Sequence, residues 1–131
     1  MQWLNEPSQW TDSGDRLIVK TSPKTDFWRI THYGFIRDTG HFYFDSISTD
    51  FVVDVKIRGN YKDLYDQAGL MLRVDEKHWI KTGIEYVEGV QNLSAVVPMT
   101  IQIGQSFPCR IPLMFYTCAL NALKKLSKFS T

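Results

Sequence analysis

Apolar and polar positions alternate along several stretches between residues 15 and 97, the period of two that puts successive side chains on opposite faces of an extended strand. In residues 51–58, Phe51, Val53, Val55 and Ile57 share one face, and Asp54, Lys56 and Arg58 share the other. The same alternation in residues 67–74 predicts Ala68, Leu70, Leu72 and Val74 pointing inward, with Gln67, Gly69, Met71 and Arg73 opposite. Residues 79–86 set Ile80, Thr82, Ile84 and Tyr86 against Trp79, Lys81, Gly83 and Glu85, and residues 92–97 set Leu93, Ala95 and Val97 against Asn92, Ser94 and Val96. Residues 17–20, 33–36 and 42–44 read as shorter strands. Between these runs, Ser13-Gly14-Asp15, Asp38-Thr39-Gly40, Arg58-Gly59-Asn60 and Glu88-Gly89 supply turn residues that tolerate left-handed backbone angles, and Asp75-Glu76-Lys77 suits a tight polar loop. Residues before 110 carry no apolar period of 3.6, and the chain has no internal repeat. The pattern predicts an all-β, antiparallel sandwich with one apolar inner face and one polar face.

Composition narrows this picture. A chain of 131 residues, 44% hydrophobic and 14% aromatic, has enough apolar surface for one core and too little for two, which excludes a multidomain enzyme. A formal charge of +1 with 22% charged residues excludes a disordered or strongly basic chain, so nucleic acid is not the expected partner. The first seven residues, Met1-Gln2-Trp3-Leu4-Asn5-Glu6-Pro7, lack the basic-then-apolar layout of a signal peptide, so the expected location is cytoplasmic.

The average charge conceals a break. Residues 1–97 hold 11 cations against 14 carboxylates, whereas residues 98–131 contain Arg110, Lys124, Lys125 and Lys128 and no Asp or Glu. Both cysteines, Cys109 and Cys118, fall in this tail; without a signal peptide they are expected to be free thiols, and their spacing fits no metal site. In the tail, residues 111–123 are apolar, and Leu120, Leu123 and Leu126 recur at helical spacing beside Lys124, Lys125 and Lys128. A partly helical tail follows, too short for a bilayer span of about 20 residues.

Four blocks carry a family resemblance: Thr25-Asp26-Phe27-Trp28-Arg29-Ile30-Thr31-His32-Tyr33-Gly34-Phe35-Ile36-Arg37-Asp38, then Tyr61-Lys62-Asp63-Leu64-Tyr65-Asp66-Gln67-Ala68-Gly69-Leu70-Met71-Leu72-Arg73, then Trp79-Ile80-Lys81-Thr82-Gly83-Ile84-Glu85, and Gly89-Val90-Gln91-Asn92-Leu93-Ser94-Ala95-Val96-Val97. Residues 1–97 closely resemble the uncharacterised-domain family named after the regulation of enolase protein. That family is similar to concanavalin A-like lectins and glucanases, which implies a jelly-roll sandwich and no particular activity. The resemblance ends at Val97. Family members continue with something like His-Asp-Tyr-Ser-Asp-Trp-Ser, where this chain has Pro98-Met99-Thr100-Ile101-Gln102-Ile103-Gly104-Gln105. The codons CCC ATG ACT ATT CAG ATT GGT CAG encode the observed residues, and the frame one base earlier reads CAT GAC TAT TCA GAT TGG TCA, which is the family's peptide. A frameshift near codon 98 is the expectation, with residues 1–97 an incomplete sandwich domain and residues 98–131 a divergent tail. Loss of later strands would bare an apolar face and open strand edges, a route to self-association.

The polar face offers candidate chemistry. Gln67, Arg73, Lys81 and Glu85, joined by Asp54, Lys56 and Arg58 if their strands are neighbours, would line one surface. Sugar binding needs amides, carboxylates and guanidinium groups for hydroxyls, and an aromatic plate for apolar ring faces. Trp79, on the strand face of Lys81 and Glu85, is an expected plate, with Trp28 and Tyr65 further candidates from loops. The ordinary alternative is cross-strand ion pairing on a solvated face, with the tryptophans in the core.

Other chemistries find less support. A glycosidase needs two placed carboxyl groups; Glu85 and Asp54 are the pair that shares a face, and the E-x-D-x-x-E cluster of many glucanases of this fold is absent. Asp63 and Asp66 suit turn caps, and as a calcium site they supply too few oxygens. His32, His41 and His78 fall on separate segments with no ligand spacing, Ser94 has no nucleophile elbow, and no glycine-rich phosphate loop is present. No cofactor, metal or catalytic residue is expected. Two functions remain: a non-catalytic module in which Trp28, Gln67, Arg73, Trp79, Lys81 and Glu85 bind a carbohydrate or related polyol, and, as the family's name implies, a protein-interaction regulator of carbohydrate metabolism that docks an enzyme such as enolase.

Overall fold

The computed structural model describes residues 1–30 and 34–98, together with the backbone pairing of residues 122–125. The described strands are β1 (Gln2–Leu4), β2 (Gln9–Asp12), β3 (Arg16–Lys20), β4 (Phe27–Arg29), β5 (Ile36–Asp38), β6 (Phe42–Phe44), β7 (Asp54–Ile57), β8 (Gln67–Arg73), β9 (Trp79–Val87), β10 (Val90–Val96) and β11 (Ala122–Lys125). They form a three-stranded sheet β10-β9-β8, a four-stranded sheet β2-β3-β11-β7, and the pairs β1-β6 and β4-β5. Every pairing is antiparallel.

Long alternating runs became strands near their expected positions, while β1, β2 and β4, three or four residues each, are too short to show a period. The helical spacing expected in the tail does not describe Ala122–Lys125, which pairs with β3 on one side and β7 on the other. A strand between two open edges satisfies backbone donors and acceptors on both sides, and that outweighs local side-chain spacing. Leu120, Leu126, Cys109 and Cys118 lie outside the described residues, as do His32 and Tyr33.

Strand β6 organises the interior, because all three of its residues are buried. Phe42 and Phe44 point one way, into a cluster with Phe27 of β4, Met71 of β8 and Trp79 of β9, against which Leu4 and Val96 pack. Tyr43 points the other way, to Leu17 and Val19 of β3 and the rings of Trp3 and Trp10. Its ring centroid lies 4.7 Å from that of Trp3 and 5.7 Å from that of Trp10. A third, smaller cluster joins Ala68 to Val55, Ile57 and Tyr61.

The burial of β8 and β9 is a correction to the alternation. Met71 and Arg73, expected on the polar face, are 0% and 6% exposed, whereas Val74, expected inward, is 44% exposed. Trp79 and Lys81 are likewise buried, while Ile80 is 39% and Leu93 of β10 is 90% exposed. Registers Met71↔Lys81, Leu72↔Ile80 and Leu93↔Ile84 place Leu70, Leu72, Ile80, Ile84 and Leu93 together on the less covered face. The reason is tertiary: β4 and β6 lie over the face that carries Met71, Arg73, Trp79 and Lys81, and long cationic side chains bury their stems where an acceptor meets the charge.

Turn chemistry fixes the registers. Glu88 and Gly89 have φ of 51° and 82°, the pair of left-handed angles that a two-residue type I′ hairpin needs, and they join β9 to β10 with Val87 opposite Val90. Between β8 and β9, Asp75 accepts the amides of Lys77 and His78 and a ring nitrogen of His78. The His78 ring, followed by those amides, holds the Asp75 carboxyl below its usual range. Gly69 and Gly83 face each other across β8 and β9; a Cβ on either would run into the carbonyl oxygen of Thr82 or Ala68 in the opposite strand. Only glycine allows that approach.

Tyr43 donates its hydroxyl to Asp12 at 2.9 Å. Burial, then this hydrogen bond and the Asp12 charge, push the phenol up to about 12. The unfolded phenol, near 10, ionises first, so the unfolded chain gains stability as pH rises from about 10 to 12 while the folded phenol is still protonated. Urea midpoints measured across that window should fall more steeply for the wild-type chain than for Tyr43→Phe.

Candidate functional site

The β4-β5 hairpin lies against the β8-β9 face, with two aspartates at the open end of its pairing region. Asp26 precedes β4, and Asp38 closes β5 opposite Phe27. Arg73 grips Asp38 with two parallel bonds, Nη1 to Oδ1 at 2.6 Å and Nη2 to Oδ2 at 2.8 Å, and its guanidinium carbon stands 5.3 Å from the Phe27 ring centroid. Lys81 Nζ donates to Asp26 Oδ1 at 2.9 Å, and Gln67 Nε2 donates to the same oxygen at 3.1 Å. The ammonium group lies 5.8 Å from the Trp28 ring centroid and 6.0 Å from that of Trp79. Two indole faces and a carboxylate therefore surround an internal lysine, an arrangement that stabilises a desolvated cation.

Five of the six candidate site residues thus meet in one network: Trp28, Gln67, Arg73, Trp79 and Lys81. The polar groups of Gln67, Arg73 and Lys81 are turned to Asp26 and Asp38. Glu85 sits in register with Gln67 and Asn92 on the same face, half-buried, without a hydrogen bond or ion pair among the described residues. Asp54, Lys56 and Arg58 do not join them, because β7 is in a different sheet from β8. Val55 and Ile57 approach Ala68, on the face opposite Glu85, and Asp54 alternates away from Val55. Glu85 and Asp54 therefore do not form the facing carboxyl pair that glycoside hydrolysis requires. Asp66 caps its turn, accepting the amides of Lys62 and Asp63 at 2.8 and 3.0 Å.

Gln67 and Asp26 also reach the surface, where they form part of a cleft of about 880 Å³. One lip is the segment from Lys20 to Thr25, and the other runs from Asn60 to Asp66, with Phe35 and Arg37 at the side. Each lip carries a non-glycine residue in the left-handed region: Lys24 at φ 62° and Tyr65 at φ 68°. Such angles cost about 1–2 kcal/mol and persist where surrounding bonds fix them. Arg37 Nη1 donates to the Lys24 carbonyl at 3.0 Å, and the Tyr65 amide donates to the Tyr86 carbonyl at 2.8 Å. The first lip is also tied by Thr25 Oγ1 to the Ser22 carbonyl and by the Ser22 amide to His41 Nε2. Because Nε2 accepts, His41 carries its proton on Nδ1, which faces the Asn5 carbonyl. Sequence reading singled out Tyr65 and Gln67 here and missed Phe35, Arg37 and the lysines, which lie on segments too short or irregular to carry a pattern. A smaller hollow of about 20 Å³ lies over Gly69, Gly83 and Ser94 between Gln67 and Lys81, room for one water-sized group. No group of three or more His, Cys, Asp or Glu suited to a metal ion occurs among the described residues, and no helix among them is long and apolar enough to cross a membrane.

The ion pairs differ in what their loss leaves behind. The Lys81 side chain is 8% exposed and that of Asp26 is 24%. Asp26→Asn strands a buried ammonium, whereas Lys81→Met replaces it with an apolar chain and leaves Asp26 bonded to Gln67. Asp26→Asn should therefore cost about 3 kcal/mol and Lys81→Met about 1 kcal/mol or less, measured from urea unfolding midpoints.

Residues 3–102 match the family described as Protein of unknown function (DUF1349). A curated relative from Saccharomyces cerevisiae, Regulation of enolase protein 1, is 45% identical over 95 residues, which are 72% of this chain and 48% of the relative. The chain thus spans about half the length of that protein. A crystal structure of a functionally unknown protein from Saccharomyces cerevisiae superposes with a TM-score of 0.70 at 37% identity, covering 90% of this chain and 58% of the other. With its family match across residues 3–102, this all-β chain belongs to the DUF1349 family of proteins of unknown function.

Proposed function

We propose that the chain is a non-catalytic binding module, a concanavalin A-like sandwich that takes a carbohydrate or related polyol in the cleft between the two lips. The observation that carries this reading is the cleft's lining: hydroxyl and amide groups of Thr21, Ser22, Asn60 and Gln67 stand beside the rings of Phe35 and Tyr65 within about 880 Å³. Planar amides bond ring hydroxyls and aromatic faces cover apolar ring surfaces, and the volume lies in the range of small-molecule sites. In this reading Gln67 orients the ligand. Arg73 and Lys81 support it from beneath by holding Asp38 and Asp26, Trp28 and Trp79 stand around Lys81, and Glu85 extends the row of Gln67. The sandwich reading draws support from the layers that meet across Phe27, Phe42, Met71 and Trp79. A cytoplasmic location belongs to the same proposal. Titration of the full chain with a panel of neutral glycans, followed by calorimetry, should give saturable binding. Tyr65→Ala or Phe35→Ala should weaken it about two- to tenfold, the worth of one aromatic contact. Absence of binding by the whole panel would remove the carbohydrate reading.

A second reading, a protein-interaction regulator of carbohydrate metabolism, is favoured by the partly covered apolar face on β8, β9 and β10, where Ile80 is 39% and Leu93 is 90% exposed. Exposed apolar patches mark interaction surfaces, and the relative's printed name points to enolase. In the same proposal residues 1–97 are an incomplete domain and residues 98–131 a tail read from a shifted frame, so that this face is left for another surface, including a second copy. Leu93→Arg should abolish capture of enolase from solution while changing stability by no more than about 0.5 kcal/mol. Undiminished capture by the variant would exclude this face.

A further inference from the structure

The charges around the cleft are not balanced. Lys20, Lys24, Arg37 and Lys62 line it together with the carboxylates of Asp26, Asp63 and Asp66. One of those carboxylates is already neutralised by a cation, and a second accepts amides while keeping its charge, so four cations face two carboxylates with no ion pair among the described residues. Asp26 Oδ1 receives Lys81 and Gln67, and Asp66 Oδ2 receives the amides of Lys62 and Asp63. None of Lys20, Lys24 and Lys62 is in an ion pair among the described residues, where the pairs are Arg73 with Asp38, His78 with Asp75, and Lys81 with Asp26. Arg37 spends one N–H on the Lys24 carbonyl and lies 5.6 Å from the Phe35 ring centroid, which leaves further donors of its planar fork. This concentration of cations runs against the bulk charge of the region, since residues 1–97 carry 11 cations and 14 carboxylates. Like charges gathered at one cleft repel one another. The lips that hold them are tied in advance by the Arg37, Thr25 and Asp66 bonds, which lowers the ordering cost of binding.

We propose that the cleft's ligand carries a phosphate monoester on its polyol body, the phosphate held by Lys24, Lys62 and Arg37, with Lys20 adding to the field. This rests on the reading of the cleft as a polyol site. Lysine meets phosphate as a point charge and arginine as a fork of donors, while Phe35 and Tyr65 take the apolar face of the ring.

The test is calorimetric titration of the full chain with glucose, glucose 6-phosphate and inorganic phosphate, at low and high salt, repeated on the double variant Lys24→Gln/Lys62→Gln with its melting temperature recorded. The 6-phosphate should bind about tenfold or more tightly than glucose, as charge-assisted bonds imply. That preference should shrink with added salt and in the double variant at unchanged melting temperature. Equal binding of glucose and its phosphate overturns the anion inference and leaves the polyol reading standing. Binding of inorganic phosphate alone, lost in the double variant, upholds the charge inference and removes the polyol reading. A phosphate preference that survives in the double variant places the anion elsewhere and overturns the inference, and binding of none of the three overturns both.

Discussion

Asp26 and Asp38, side by side at the open end of the β4-β5 hairpin, reach Lys81 and Arg73 on the neighbouring sheet, and those two contacts constrain where the hairpin lies on that sheet. Desolvating an ammonium and a guanidinium is costly, and ion pairs in such surroundings offset that cost only when their geometry is good. Here the arginine pair is bidentate and the lysine pair shares its acceptor with Gln67. Rings complete the enclosure: Phe27 beneath Arg73, Trp28 and Trp79 around Lys81. An apolar contact would hold the hairpin down without specifying where. A carboxylate that must meet one cation specifies both position and orientation.

That placement determines what else the sheet can do. Once the cationic face of β8 and β9 is covered, Phe27, Phe42 and Phe44 close on Met71 and Trp79 as its core. The face carrying Leu70, Leu72, Ile80, Ile84 and Leu93 becomes the outer one. Strand β6, buried on both sides, passes the constraint to the second cluster through Tyr43, whose hydroxyl reaches Asp12. The Gly69–Gly83 pair, where a side chain would strike the opposite backbone, keeps β8 and β9 close at the level of the Lys81 contact. Fold and cleft are therefore not independent. Asp26 is at once the acceptor that fastens the hairpin and part of the cleft lining, and its pairing with Lys81 leaves two other carboxylates, Asp63 and Asp66, to face the four cations of the cleft.

Much of the local structure was legible along the chain. Alternation over residues 67–74, 79–86 and 92–97 marks β8, β9 and β10, because six or more residues of period two argue a strand. Glu88-Gly89 marks the hairpin between the last two. The short strands β1, β2 and β4 were not legible, since three or four residues carry too little pattern. Of the candidate site, parity pairs Gln67 with Arg73 and Trp79 with Lys81 and Glu85 on their own strands, and the antiparallel register of β8 and β9 brings the two sets to one face. Their partners were not found, since Asp26 and Asp38 stand 55 and 35 residues away along the chain from Lys81 and Arg73, and no spacing rule connects them.

Hydrophobic period and turn residues, which act through the few bonds nearest each residue, determined from sequence alone that the described residues are antiparallel and all-β, and which side chains of one strand share a face. Which of those faces is buried was decided only in three dimensions. Alternation sorts residues into two sets but does not say which set a distant hairpin will cover, and here two remote carboxylates turned the charged set inward. The same holds for Ala122–Lys125: its own side chains suggest a helical spacing, and the open edges of β3 and β7 make it a strand.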